Sequence, residues 1–161
     1  MKINWKKLLI SIGIAEGVGF LSSLLSGVFS GKQSEFLDTL TKPPLSPPNW
    51  LFGVVWPILY ILMGTAAYLV YDSVKGTNFE KKKALRLYAA QLLVNFLWSI
   101  VFFRFESIAG GLVILLILDF LVILVMYSFR KINRLAYWLL IPYLLWILFA
   151  TYLNIGFVVL N

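Results

Sequence analysis

The sequence predicts an all-α integral membrane protein, a bundle of five transmembrane helices with its N-terminus in the cytoplasm. Three observations carry this. Of 161 residues, 61% are hydrophobic and 13% charged, against roughly 45–50% and 25% in a soluble domain, so a single aqueous core could not absorb the apolar surface. Five apolar segments, at about 8–29, 51–71, 85–103, 108–129 and 135–160, each have the length needed to cross roughly 30 Å of hydrocarbon at about 1.5 Å per residue. The basic residues then divide unevenly between the two ends of such a bundle. Lys2, Lys6, Lys7, Lys75, Lys81, Lys82, Lys83, Arg86, Arg130, Lys131 and Arg134 collect at one end, and only Lys32, Lys42 and Arg104 at the other. Cytoplasmic loops carry the excess of Lys and Arg, which puts the N-terminus inside and Asn161 outside.

The first segment follows Lys6 and Lys7 in the manner of a signal peptide, but Glu16 interrupts it and it is long enough to span, so it is expected to remain as a helix. The net charge of +7 sits in short clusters between apolar runs, without a basic stripe or nucleic-acid motif, and no nucleic-acid partner is expected. The absence of cysteine and histidine excludes disulfides, thiolate nucleophiles, Ser-His-Asp triads, the usual zinc sites and His- or Cys-ligated haem. Five spans do not divide into two equal inverted repeats, which disfavours the common secondary-transporter plan. The whole chain, 1–161, is expected to form one membrane domain, with a Pro-rich lid loop over 30–50.

At 100° per residue, three helices each gather aromatic and amide side chains on one face. The second carries Trp56, Tyr60, Met63 and Ala67. The third carries Gln91, Asn95, Trp98 and Phe102, and the fifth Tyr143, Trp146, Ala150 and Asn154. Amides in membrane spans also join helices to one another, and Trp and Tyr also mark the lipid interface. The small residues Ala150 and Gly64, each one turn from a large ring, are expected to leave space for a flat apolar molecule that the polar groups would orient.

Glu16 and Asp119 lie near the middle of spans, where a carboxylate costs roughly 2.5–3.5 kcal/mol on insertion scales. Both are expected to face inward. Glu16 falls within the Gly13-xxx-Gly17 spacing, which reads as a site of close helix approach. Without a water-filled cleft, the two acids do not suit glycosidase-type chemistry.

The stretch KPPLSPPNWLFGVVWPILYILMG, Lys42 to Gly64, packs four of the six prolines into a stiff loop and then runs into an aromatic-rich helix. Together with QLLVNFLWSIVFF, Asp119 and LIPYLLWILFATYLNIGFVVLN, this stretch closely resembles the tryptophan-rich sensory protein family, also called the translocator protein or mitochondrial benzodiazepine receptor family. The resemblance covers about 42–161 and is looser in the first helix. It implies a five-helix bundle, often a homodimer, that binds porphyrins and related tetrapyrroles, with sterols and synthetic aromatic drugs as ligands of some members. Trp56 and Trp146 match the pair linked in the family to the porphyrin pocket and to light-dependent porphyrin breakdown. These two are the catalytic candidates if the protein is an enzyme. Trp50, Tyr60, Asn95, Trp98, Asp119, Phe149, Ala150 and Leu153 complete the candidate ligand-binding set, with no metal site and no cofactor beyond porphyrin as ligand.

The Pro-rich loop looks like the family's lid, its φ angles held near −65° so that less entropy is lost on closure. The C-terminal sterol-recognition segment of the family needs a basic residue that NIGFVVLN lacks. Val125 to Arg130 satisfies only a loose sterol pattern. The expected protein is a membrane receptor or sensor for a porphyrin-like molecule. Its alternatives are a light- and oxygen-dependent porphyrin-degrading enzyme and a structural subunit. Short loops favour a bacterial plasma membrane.

Overall fold

A computed structural model describes residues 3–161, so Lys2, one of the residues in the charge asymmetry, lies outside the described residues. The described residues are helical throughout, without strands: α1 (Trp5–Ser26), α2 (Lys32–Thr39), α3 (Asn49–Tyr71), α4 (Asn78–Ser99), α5 (Ile108–Ile132), α6 (Arg134–Leu139) and α7 (Ile141–Leu160). A short 3-10 turn, Val28–Ser30, precedes α2, and a π-helical segment, Ile100–Arg104, extends α4. Five stretches are long and apolar enough to cross a membrane: α1, α3, α4 with its π segment, α5, and α6 with α7. The protein is an integral, multi-pass membrane protein.

Local chemistry sets where each helix begins and ends. Asn4 caps α1 by accepting from the Lys7 amide at 3.1 Å, and Gly27, at φ 84°, ends it in the left-handed conformation. The first span therefore stops three residues earlier than the apolar run suggests. Thr77 and Glu80 form a reciprocal capping box at the start of α4, with the Thr77 amide donating to Glu80 at 2.7 Å. Asn133 ends α5 and caps α6, accepting from the amides of Leu135 and Ala136. The last span is broken at Leu140, and Pro142 occupies the first turn of α7, where a missing N–H costs nothing.

The helices pack as a ring. α1 lies against α3 and α4, α5 stands between α4 and α7, and α3 closes the circle against α6 and α7. Leu118, Val122, Val125, Phe129 and Ile147 fill its centre, while Ile14, Leu116, Phe120 and Ile123 point outward and are half or more exposed. Outward apolar side chains are what a lipid solvent accepts at no cost.

Gly13 and Gly17 are not the close-approach glycines. Nothing lies within 4 Å of a Cβ built at either, whereas one built on Gly64 would stand 2.6 Å from the Ile12 Cα. The Ser11 hydroxyl donates to the Gly64 carbonyl at 2.7 Å across the same contact. Gly64 thus admits the α1 backbone, not a ligand, and the expectation of free space beside it is corrected.

The loop expected over 30–50 is only partly loop. Its first half folds as α2, which buries Gln33, Phe36 and Leu37 and sets Phe36 edge-on to Phe102, with centroids 5.6 Å apart. Its proline-rich second half runs over the end of α7. There Asn161 Oδ1 accepts from the Thr41 amide at 2.8 Å, Asn161 Nδ2 donates to the Thr41 carbonyl at 3.2 Å, and the Tyr152 hydroxyl donates to the Pro44 carbonyl at 3.0 Å. Pro43 rests directly on Gly156, where a Cβ would come within 2.5 Å of the proline ring.

Candidate functional site

Beneath this lid lie two adjoining chambers that share Phe52, Trp98 and Phe103 as a common wall. The lid chamber, of about 30 Å³, is roofed by Leu37, Lys42 and Pro47 and floored by Ala150, Leu153 and Asn154. A volume of that size holds about one water. The inner chamber, of about 230 Å³, lies between α1, α3 and the π segment, and Glu16, Gln33, Gly53, Trp56 and Tyr60 are among its lining residues.

The π segment shapes the common wall. The Phe105 amide donates to the Ile100 carbonyl at 3.1 Å, a bond spanning five residues instead of four. The extra residue in that turn lets Trp98, Phe102 and Phe103 form one cluster: Trp98 stacks on Phe102 at 5.7 Å and meets Phe103 edge-on at 5.5 Å. Trp56 joins the cluster from α3, with centroids 6.1 Å from Trp98 and 5.7 Å from Tyr60. Pro57 also bears on the inner chamber. It has no N–H to donate to the carbonyl of Gly53, four residues earlier, and both residues line the cavity.

Behind Tyr60 runs a buried polar chain across α3, α4 and α7. The Tyr60 hydroxyl donates to Asn95 Oδ1 at 3.2 Å, Asn95 Nδ2 donates to the Tyr143 hydroxyl at 2.8 Å, and that hydroxyl donates to Gln91 Oε1 at 2.8 Å. The chain ends where Gln91 Nε2 meets the Met63 sulfur at 3.8 Å. Each member satisfies the next, which is the condition for polar groups to be tolerated in an apolar interior. Other buried groups have no such partner among the described residues, the Tyr88 hydroxyl and Asp119 Oδ1 included. The Trp98 and Trp146 indole N–H groups and both amide atoms of Asn154 make no hydrogen bond, and Trp98 and Asn154 line the lid chamber.

The residues singled out in the sequence divide among six places. Trp56, Tyr60 and Trp98 line the inner chamber, and Trp98, Ala150 and Leu153 the lid chamber. Asn95 lies one hydrogen bond behind Tyr60. Trp146 and Phe149 line a separate outer groove with Val55, Leu59 and Pro142, and Trp146 meets the chamber residue Phe52 edge-on at 5.7 Å. Asp119 accepts from the Thr151 hydroxyl at 2.8 Å and so joins α5 to α7, and Trp50 is 67% exposed at the start of α3. Sequence reasoning missed Phe52, Phe103 and Gln33. Phe52 was within reach, since it stands one turn before Trp56 on the same face. Phe103 was not, because the π turn shifts the helical phase.

At the mouth, Lys42 pairs with Asp38 at 2.8 Å, and its ammonium holds the Asp38 carboxyl below the usual carboxylate range through the hydrogen bond and its charge. Both side chains are exposed, so the pair adds little to stability. The lid chamber therefore has the Lys42–Asp38 ion pair at its rim, aromatic walls and unpartnered hydrogen-bonding groups at its floor.

Fold and site together define a multi-pass helical membrane protein with a lid-covered aromatic pocket. The chain belongs to the TspO/MBR family, whose match covers residues 11–160. It is 39% identical over 158 residues to the tryptophan-rich protein TspO of Chlorobaculum tepidum, covering 96% of this chain and 95% of that one. It is 34% identical over 161 residues to the tryptophan-rich sensory protein of Cereibacter sphaeroides, covering 100% and 95%. With the translocator protein of Ovis aries it shares 34% identity over 143 residues, 85% of each. It is thus a sensor-type membrane protein of the TspO and translocator family.

Proposed function

We propose that the chain binds a porphyrin or a related flat tetrapyrrole across the two chambers, with the lid closing over it. The observation that carries this reading is the common wall: Trp98 faces both chambers with its indole N–H unpartnered, and Asn154 below it has an unpartnered amide. A buried donor without an acceptor costs roughly 1–3 kcal/mol, a cost that a ligand acceptor would remove. Aromatic rings supply stacking surface, and Lys42 at the rim suits the carboxylate side chains of a tetrapyrrole. The inner chamber, at about 230 Å³, is smaller than the roughly 300–1,000 Å³ typical of small-molecule sites. Binding therefore requires Phe52 and the lid to move aside. No cofactor of the chain's own takes part. The proposed unit is a homodimer in a bacterial plasma membrane, as the family resemblance implies.

The alternative, light- and oxygen-dependent porphyrin degradation by Trp56 and Trp146, has weaker support, because these two tryptophans line different cavities. The test of the binding reading is a titration of the purified protein with protoporphyrin, haem and coproporphyrin, followed by tryptophan quenching. Saturable quenching is expected, with the free base at least as tight as haem, since the chain has no histidine or cysteine to ligate iron. Non-saturable quenching, or a strong preference for haem, overturns the reading.

A further inference from the structure

We propose that Glu16 makes the inner chamber a site for apolar cations, that is, lipophilic ammonium compounds with a flat ring body. This goes beyond the tetrapyrrole reading and does not depend on it. Glu16 is the only charged residue lining a chamber whose other walls include Phe20, Phe52, Trp56 and Trp98. The chain carries a formal charge of +7, yet the charge presented to this cavity is negative.

A structural carboxylate in a membrane span is held by a partner. Asp119 shows this at one oxygen, Oδ2, which accepts from Thr151 at 2.8 Å, while its Oδ1 has no partner. Among the described residues Glu16 makes no hydrogen bond, and the ion pairs there, Lys7 with Asp72 and Lys42 with Asp38, do not involve it. A carboxylate in a span costs enough that its usual settings are a pairing, a water-filled cavity or a functional site. Here the setting is a cavity, bounded by aromatic faces that attract cations through their quadrupoles. Gly53 lines the same cavity, and a Cβ built on it would meet nothing within 4 Å, so open space lies beside the α3 backbone there. An ammonium group has three donors and no acceptor, which matches a carboxylate that only accepts.

The same charge disfavours an anion in the inner chamber. A tetrapyrrole carrying carboxylates would have to direct them toward Lys42 and away from Glu16, so the two ends of the pocket have opposite electrostatic preferences.

The test compares two probes that differ in one group, 2-naphthylmethylamine and 2-naphthylmethanol. Both are measured by equilibrium dialysis against the full chain in phosphatidylcholine nanodiscs, with empty nanodiscs subtracted. The wild-type chain should bind the amine about tenfold or more tighter than the alcohol, the ratio expected from one charge-assisted hydrogen bond. Glu16→Gln should abolish that preference while leaving the affinity for the alcohol within about twofold, because it keeps the side chain's volume and polarity. Equal affinity of the wild-type chain for the two probes overturns the proposal whether or not the variant folds, and so does a preference that survives in a folded Glu16→Gln. Protoporphyrin titrated in the same samples keeps the two readings apart. Amine selectivity without porphyrin binding defeats only the tetrapyrrole reading, and porphyrin binding without amine selectivity defeats only this one.

Discussion

The Asn95 amide donates to the Tyr143 hydroxyl at 2.8 Å, buried between α4 and α7, and through it the chamber residue Tyr60 is tied to Gln91 deep in the bundle. Removing that hydroxyl strands a donor on Asn95 and an acceptor on Gln91. Tyr143→Phe should therefore lower stability by about 1–2 kcal/mol, the range for interhelical hydrogen bonds in membranes. Ligand affinity should change less, since the Tyr143 ring stays at its 6.5 Å distance from Trp56. Thermal unfolding in detergent measures the first effect and porphyrin titration the second. An unchanged melting temperature would show that the chain of bonds is not structural.

That chain was legible in the sequence because regular helices keep their phase. Tyr60 with Met63, Gln91 with Asn95, and Tyr143 fall on single faces at 100° per residue, and all are buried. What could not be read arises where phase or pattern fails. The π turn re-aims Phe103, and the break at Leu140 precedes a proline that periodicity treats as one more apolar residue. α2 is a polar stretch of 8 residues, stabilised by docking on the π segment and not by propensity. Trp146 shares a stripe with Ala150 and Asn154, yet it leans outward while they face the lid chamber. A stripe some 60° wide can border two cavities. The glycines teach a similar lesson: the GxxxG spacing marks Gly13 and Gly17, but contact depends on which face meets a neighbour, and that is settled by Gly64 of α3.

The clasp between lid and α7 is expected to set how long a ligand stays bound. Gly156→Val places atoms where Pro43 now rests, and Asn161→Ala removes both hydrogen bonds to the Thr41 backbone. Each variant should speed dissociation of protoporphyrin several-fold and leave the melting temperature nearly unchanged, because the contacts hold the lid and not the bundle. Stopped-flow release provides the rates, and faster proteolysis between Thr41 and Pro48 should accompany them. Unaltered release from both variants would mean that the lid does not gate the pocket.

The charge asymmetry yields a topological prediction. Ser34, exposed on α2, and Val74, 95% exposed between α3 and α4, lie in connections expected on opposite sides of the membrane. In intact cells an impermeant maleimide should label Ser34→Cys and spare Val74→Cys. The opposite pattern would reverse the orientation and put the lid in the cytoplasm.

Trp98 offers the sharpest separation of binding from folding. Its indole is 4% exposed and its N–H has no partner, so in the empty protein that group is a net cost. Trp98→Phe keeps an aromatic plane against Phe102 but removes the orphan donor and leaves a modest void. The two effects oppose one another: roughly 1–3 kcal/mol is regained from the donor, and a similar amount is lost to reduced packing. The apo melting temperature should therefore move little. Porphyrin affinity should nevertheless fall about tenfold, the value of one hydrogen bond made only to ligand. Trp98→Ala separates the contributions further, because it removes the stacking surface as well and should be costly to both fold and binding. If Trp98→Phe binds protoporphyrin as tightly as the wild type, the unpartnered N–H is not directed at the ligand, and the common wall loses its place in the binding mechanism.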